Sequence, residues 1–290
     1  GDWSSDVCSS DLDRMFHGAT SVRVALQQSY NLPAVEALRA VGPTHLVATL
    51  SASGVNLRLP GNEMGDGAGL AIALGGVGIR MLDLARLYHA LADGGVSTPL
   101  RWNDDGPALA EDPGQRFVDR PAASAVLSIL RGTPPPPGIA AWRDSLVAYK
   151  TGTSWGHRDA WAASVAQGWT VIVWGGRPDG TPSPGISGRE TAAPVMAALL
   201  DLLPLRRDLA FVLDVDVPAA DVQKAAAGAE KTLIRDVLVF DLYTGTGLPP
   251  GKKSLAVELT IQPRDKTLTD AEIEALTAKV VAEEIGRAHV

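Results

Sequence analysis

Through residues 13–203, apolar positions recur first at helical spacing, then in strand-like runs, then at helical spacing again. The spacing predicts a short helix over 22–28, followed by Ser29-Tyr30-Asn31. Pro33 fits the first turn of the next helix, where a missing N–H leaves no bond unmade. Ala34, Val35, Leu38 and Val41 then mark its apolar face, and Gly42 stops it. Thr44 is the expected cap of a further helix ending near Gly54. The stretch 65–78 is glycine-rich and apolar; lacking both GxGxxG order and a phosphate-loop lysine, it reads as close packing. Helices are expected over 82–91, ending at Asp93-Gly94-Gly95, and over 122–130. Residues 149–156 lead into strand-like runs at 160–166 and 169–174, and an apolar helix over 191–203 can cover that sheet.

After Pro204 the texture changes. A strand is expected over 207–214, a helix over 218–230, and strands over 233–243 and 253–262 joined by a turn-rich loop at 244–251. Val237, Val239, Leu255, Val257, Leu259 and Ile261 carry a period of two. Thr269 and Glu272 form a capping-box start for a last helix, whose apolar face is Ile273, Leu276, Val280 and Val281. The order is β-α-β-β-α, one strand short of a ferredoxin-like unit. The fold class expected for the whole chain is α+β. A helical domain with an antiparallel sheet comes first, and an incomplete ferredoxin-like domain follows.

Composition narrows the picture only a little. The 290 residues are 46% hydrophobic with a net charge of -7, which fits globular domains and gives no general attraction to nucleic acid. No apolar run is long enough to span a bilayer, no signal peptide is visible, and no metal or cofactor motif stands out. The two ends carry a different message. Residues 285–290 can be encoded by ATC GGA AGA GCA CAC GTC, whose reverse complement encodes residues 6–11. That string resembles a sequencing-library adapter. Residues 1–12 and 285–290 are therefore expected to carry no fold, and Cys8, the only cysteine, says nothing about redox compartment.

The candidate chemistry lies in two motifs. Lys150-Thr151-Gly152-Thr153 places a cation, a glycine and flanking hydroxyls at the start of an edge strand, and Ser29-Tyr30-Asn31 precedes it by a domain-sized interval. Singly, Ser29-x-Asn31 reads as a helix-capping turn and Lys150 as a solvated charge. His157 and Arg158 read as surface residues of a hairpin turn, and Trp155, Trp161, Trp169 and Trp174 as core or groove wall. The motif order and the flanks at 25–35, 74–76, 84–95, 150–161, 176–180 and 188–194 change that reading. Residues 13–203 resemble the transpeptidase domain of class A penicillin-binding proteins of the 1C type.

The resemblance implies attack by a serine on the D-Ala-D-Ala amide of a peptidoglycan stem peptide, with β-lactams as mimics of that substrate. By the same resemblance, Lys150 supplies positive potential, Ser29 relays a proton to the leaving amine, and Asn31 holds the substrate amide. Thr151 and Thr153 bind the terminal carboxylate, the Thr153 N–H is an oxyanion donor, and Gly152 leaves room for an added substrate strand. No cofactor or metal is implied. The family's nucleophile sits in Ser-x-x-Lys upstream, and no serine here has lysine three positions on. The chain is expected to be cut before that motif and to be inactive in acylation. A β-lactamase-like hydrolase also fits Lys-Thr-Gly, but Tyr30 stands where its Asp is expected.

Residues 204–284 resemble the ferredoxin-fold anticodon-binding domain of bacterial phenylalanyl-tRNA synthetase β subunits. The resemblance rests on 207–211, 240–243, 251–256 and 262–271. It implies phenylalanine tRNA as partner, with Lys252, Lys253, Arg264 and Lys266 as candidate phosphate contacts. The first family works in the periplasm, anchored to the inner membrane, and the second in the cytoplasm. Two accounts fit that conflict: gene fragments joined artificially near 203–206, or a natural fusion that amplification of genomic DNA across the junction would reveal.

Overall fold

The computed structural model describes residues 18–59, 69–100, 114–139, 147–166, 168–262, 268 and 270–287. The chain divides into two units, Gly1–Ala197 and Ala198–Val290, with the division inside a helix.

In the first unit, three helices follow one another: α1 (Val22–Gln28), α2 (Asn31–Val41) and α3 (Pro43–Ala52). Ser21 caps α1 by accepting from the Val24 N–H. At the other end of α1, Ser29 takes a left-handed conformation with φ 61° and ψ 40°. That geometry lets the Tyr30 N–H reach back to the Ala25 carbonyl at 2.9 Å. Glycine normally occupies this position, because a Cβ there is crowded. The cap of α3 differs from expectation. Gly42, with φ 89°, is the cap residue and Pro43 is the first helical residue, so Thr44 lies inside the helix. Proline's fixed φ makes it the better first residue.

A 3-10 turn, Leu70–Leu74, stands in the glycine-rich stretch. A Cβ on Gly76 would meet the Ala71 Cβ and carbonyl oxygen at 2.9 Å, so the backbone does approach closely there. Helix α4 (Met81–Ala92) follows, then a two-stranded ribbon, β1 (Val96–Ser97) with β2 (Gln115–Arg116), that the periodicity does not reveal. Arg86 of α4 ties this region together. Its Nε donates to the Ser97 hydroxyl at 2.7 Å, and that hydroxyl donates to the Ser53 carbonyl at 2.8 Å. Both serines are buried, so the network satisfies polar groups that water cannot reach. Helix α5 (Arg120–Arg131) begins earlier than its apolar face suggests, because Asp119 caps it through the Ala122 N–H at 2.7 Å.

The site-bearing element is an antiparallel sheet of β3 (Ala148–Thr153), β4 (Asp159–Ala166) and β5 (Trp169–Gly176), in the order β3-β4-β5. Pairing of Lys150 with Ala163 and of Gly152 with Trp161 sets the register. Side chains alternate faces, so Ala148, Lys150, Gly152, Trp161 and Val165 share one face. Ala148 and Val165 pack there against Leu127 and Leu130 of α5, with Leu26 of α1 and Tyr88 and Leu91 of α4 beside them. The opposite face carries Tyr149, Thr151 and Thr153. A π-turn, Gly188–Ala192, lies against it and runs on into α6 (Ala193–Leu202).

The second unit contains β6 (Leu205–Asp214), α7 (Ala219–Ala229), β7 (Ile234–Tyr243), β8 (Lys252–Ile261) and α8 (Asp270–Arg287). The strands lie antiparallel in the order β6-β8-β7. Leu255, Val257, Leu259 and Ile261 form one inward row on the central strand and pack with Val222 and Ala226 of α7 and Ile273, Leu276 and Val280 of α8. The last helix continues through Arg287, beyond Glu284, so residues 285–287 are helical rather than without fold. The residues just before them favour helix propagation, and a helix adds one backbone bond for each residue it gains.

Candidate active site

Among the described residues β3 is an edge strand, and the turn that follows fixes its backbone polarity. The Ser154 N–H donates to the Asp159 carbonyl at 3.0 Å, so Ser154 faces β4. In an antiparallel ladder, N–H and C=O alternate sides along the strand. Lys150 and Gly152 therefore bond to β4, while the backbone groups of Tyr149, Thr151 and Thr153 point to the open edge. The Tyr149 carbonyl meets the Thr133 hydroxyl there at 3.3 Å. The Thr153 N–H thus has the direction an oxyanion donor requires.

The Lys150 side chain crosses that edge. Its Nζ donates to the Ser29 hydroxyl oxygen, a contact spanning 121 positions of sequence. It also donates to the Thr151 carbonyl at 2.8 Å. The ammonium is half-buried, and its desolvation lowers the lysine pKa from 10.5 to about 8. Ser29 itself is exposed at the end of α1, and Asn31 begins α2 two residues later. Gln27 braces this corner by donating to the Ile129 carbonyl of α5 at 2.8 Å.

Gly152 is exposed, and a Cβ built on it would meet only the Trp161 Cβ, at 3.9 Å. The fold therefore does not require glycine at that position. The glycine that does pack tightly is Gly188: a Cβ there would lie 2.4 Å from the Gly152 oxygen and 2.5 Å from the Trp161 oxygen. Its N–H donates to the Thr153 hydroxyl oxygen at 3.0 Å. Gly188 lies in a flank that matches the family, but its packing role has no local pattern, because the close backbone approach comes from a distant segment.

The tryptophans divide. Trp161 and Trp174 stand with ring centroids 6.3 Å apart, and the Trp174 indole N–H donates to Asp159 at 2.9 Å. Trp155 is 94% exposed at the hairpin tip, so it is not a core residue. In the same turn Gly156 and His157 are both at positive φ. His157 and Arg158 are exposed, and a His157 ring nitrogen, Nδ1, lies 2.9 Å from the Ile186 carbonyl. Among the described residues no cluster of His, Cys, Asp or Glu could hold a metal ion, and no helix is long and apolar enough to cross a membrane.

In the second unit the four basic candidates separate. Lys253 does not face solvent: it is 8% exposed, and its Nζ donates to the Val215 carbonyl at 3.0 Å and to the Val217 carbonyl. It occupies the same inward row as Leu255 and Val257, and the period of two puts it there. Lys253 is thus a structural residue rather than a phosphate contact. Lys252 lies on the outer face and pairs with Asp214 at 2.8 Å. Arg264 and Lys266 lie outside the described residues. Val212, Leu238 and Tyr243 are exposed large apolar residues of the sheet.

Comparison with known proteins separates the same two parts. The chain is 38% identical over 201 residues to penicillin-binding protein 1C of Escherichia coli, covering 69% of this chain and 25% of that protein. The fold of penicillin-binding protein 1A from Haemophilus influenzae matches with a TM-score of 0.51 at 20% identity, over 72% of this chain and 39% of that one. A family model, the ferredoxin-fold anticodon binding domain, matches residues 203–286. The phenylalanine–tRNA ligase beta subunit of Bradyrhizobium diazoefficiens is 52% identical over 100 residues, 34% of this chain and 12% of that subunit. The chain therefore spans about a quarter of one relative and about an eighth of the other. It is a composite: a segment of the penicillin-binding transpeptidase family followed by a ferredoxin-fold anticodon-binding domain.

Proposed function

We propose that the edge of β3, with Ser29 and Asn31 beside it, is the substrate-holding part of a serine D,D-transpeptidase, acting on the stem peptides of peptidoglycan and open to β-lactams. One observation carries the reading: the Lys150 ammonium rests on the Ser29 hydroxyl at the open edge of the Lys-Thr-Gly strand. In this reading the ammonium supplies positive potential, and Ser29 passes a proton to the leaving amine. Asn31 holds the substrate amide, and Gly152 leaves space for a peptide to lie as an added strand. Thr151 and Thr153 bind its terminal carboxylate, and the outward Thr153 N–H stabilises the oxyanion. The reaction's natural setting is the outer side of the cytoplasmic membrane, where the full-length relatives are proposed to be anchored.

Ser-x-x-Lys, the family's nucleophile motif, does not occur in the sequence given. The chain is therefore proposed to bind stem peptides without acylation. Incubation of the purified chain with a fluorescent penicillin, followed by denaturing electrophoresis, is expected to show no covalent label. A label mapped to any serine would overturn the assignment of an absent nucleophile.

A second reading concerns residues 203–286, favoured by their family match. They are proposed to contact phenylalanine tRNA in the cytoplasm. The charge of the module gives this little help: acidic residues outnumber basic ones over 203–286, and Lys253 is turned inward. Contact would rest on the outer face of the sheet, through Lys252 and the exposed Tyr243, with stacking rather than a basic field as the attraction.

A further inference from the structure

We propose that the outer edge of β5 is a self-association surface, on which a second copy of this chain adds its own β5 antiparallel to form one continuous sheet. The backbone polarity of β3 carries across the sheet. Lys150 and Gly152 bond to Ala163 and Trp161, so Ala160, Ala162 and Ser164 turn their backbone groups toward β5. Their partners there are Gly175, Val173 and Val171. The N–H and C=O groups of Thr170, Ile172 and Trp174 therefore point away from β4, and among the described residues no strand pairs with them.

Natural sheets defend such edges with charge, irregular pairing or a covering segment. The other long edges of this chain do so. On β3, the Thr133 hydroxyl meets the Tyr149 carbonyl, and the Lys150 side chain crosses to Ser29. Strand β6 carries Arg206, Arg207, Asp208 and Asp214. Strand β7 carries Arg235, Asp236 and Asp241, and its register shifts between Ile234 and Asp236 and again between Val239 and Asp241. Strand β5 has none of these devices. Trp169 to Gly176 contains no charge and no proline, pairs with β4 without a register shift, and is half-buried up to Gly175.

The strand also fits a copy of itself. A two-fold axis perpendicular to the sheet keeps the faces of both copies in line, so residues of equal parity meet. Centred on Ile172, the axis sets Ile172 against its own equivalent, Thr170 against the second copy's Trp174, and Val171 against its Val173. Every position from 170 to 174 then faces a β-branched or aromatic residue, the combinations that stabilise cross-strand pairs. A centre at 171 would set Trp174 opposite Gly168, and one at 173 would set Thr170 opposite Gly176. The charges beyond the strand agree with this pairing. Arg177 and Asp179 follow its end, and His89, Asp93 and Arg131 line the hollow at its start beside Gly168 and Trp169. Antiparallel addition brings one end toward the other, and each holds both signs, so no field of like charge opposes the contact.

Sedimentation velocity of the full chain is the test. A strand edge buries less than a standard interface, so an equilibrium is expected, with monomer prevailing at about 1 μM and dimer at about 100 μM. Salt should change it little, because the paired strands carry no charge. Over that range amide exchange at Thr170, Ile172 and Trp174 is expected to slow roughly tenfold, while Val171 and Val173, already bonded to β4, keep their rates. Ile172→Lys sets two ammonium groups opposite each other at the axis. That variant should stay monomeric at about 100 μM and still show the tryptophan transition in urea. If it does not fold, the exchange pattern of the unsubstituted chain decides the matter. A monomer throughout the range, or a dimer that a folded Ile172→Lys chain still forms, would overturn the inference. So would protection of Thr170, Ile172 and Trp174 already at the lowest concentration, which would put another segment of the same chain on the edge. Open-ended aggregation in place of a dimer would overturn it as well.

Discussion

Replacing Lys150 by methionine is expected to stabilise the first unit at neutral pH and to remove part of its pH dependence. The folded chain lowers the Lys150 pKa from 10.5 to about 8 by desolvation. The sign follows from proton counts. Between about pH 8 and 10.5 the unfolded chain still holds the lysine proton, while the folded chain has released it. Stability therefore rises with pH across that window. Below pH 8 the full penalty is present, at most ~3 kcal/mol at ~1.4 kcal/mol per pKa unit. Methionine removes that penalty but also two hydrogen bonds, to Ser29 and Thr151, each worth about 1 kcal/mol. A net gain of ~1 kcal/mol at pH 7 is expected, falling away as pH rises through the window. Every tryptophan of the chain lies before residue 175, so tryptophan fluorescence in urea follows the first unit selectively. Tyr88, held at about 12 by burial, tilts stability the other way above pH 10 in both proteins and cancels in the comparison. A Lys150→Met chain no more stable than its parent at pH 7 would count against a desolvated ammonium.

The second large effect lies in the other unit. Lys253→Met is expected to destabilise it by ~2 kcal/mol, because the Val215 and Val217 carbonyls lose their buried donor. These carbonyls belong to the segment between β6 and α7, so the loss should appear as faster amide exchange there and leave the tryptophan transition unmoved. Lys252→Met breaks only a half-exposed pair with Asp214 and should change stability by less than ~1 kcal/mol. If the module contacts phenylalanine tRNA, Lys252→Met should reduce the dependence of binding on salt by about one ion. Lys253→Met, where folded, should leave that dependence alone. Reversal of this pattern in gel shifts would return Lys253 to the RNA contacts.

The contrast between these lysines shows where the sequence was readable. The alternation Leu255, Val257, Leu259, Ile261 already places position 253 on the inward face, and the period outweighs the charge there. The helices and the strands of the second unit follow their apolar spacing closely, because each has one face to bury, whereas β4 is buried on both faces and reads as a continuous apolar run. The ribbon of Val96–Ser97 with Gln115–Arg116 does not, since two-residue strands are too short to carry a period. The meeting of Ser29 with Lys150 was legible only through the order of two motifs, as no local pattern specifies a contact across 121 positions. Gly188 was illegible for the same reason: its need for glycine comes from Gly152 and Trp161, which lie elsewhere in the chain. For Trp155 the exposure removes the core reading and keeps the groove-wall one.

The most direct measurement is the titration of the Lys150 side chain itself, followed by NMR at its Cε in the intact chain. The expected midpoint is about 8, moving upward when N-acetyl-D-alanyl-D-alanine is added, because a carboxylate bound beside the ammonium favours its charged form. A midpoint at the ordinary lysine value, unmoved by the peptide, would mean that Lys150 is solvated and that the edge of β3 is not a peptide groove.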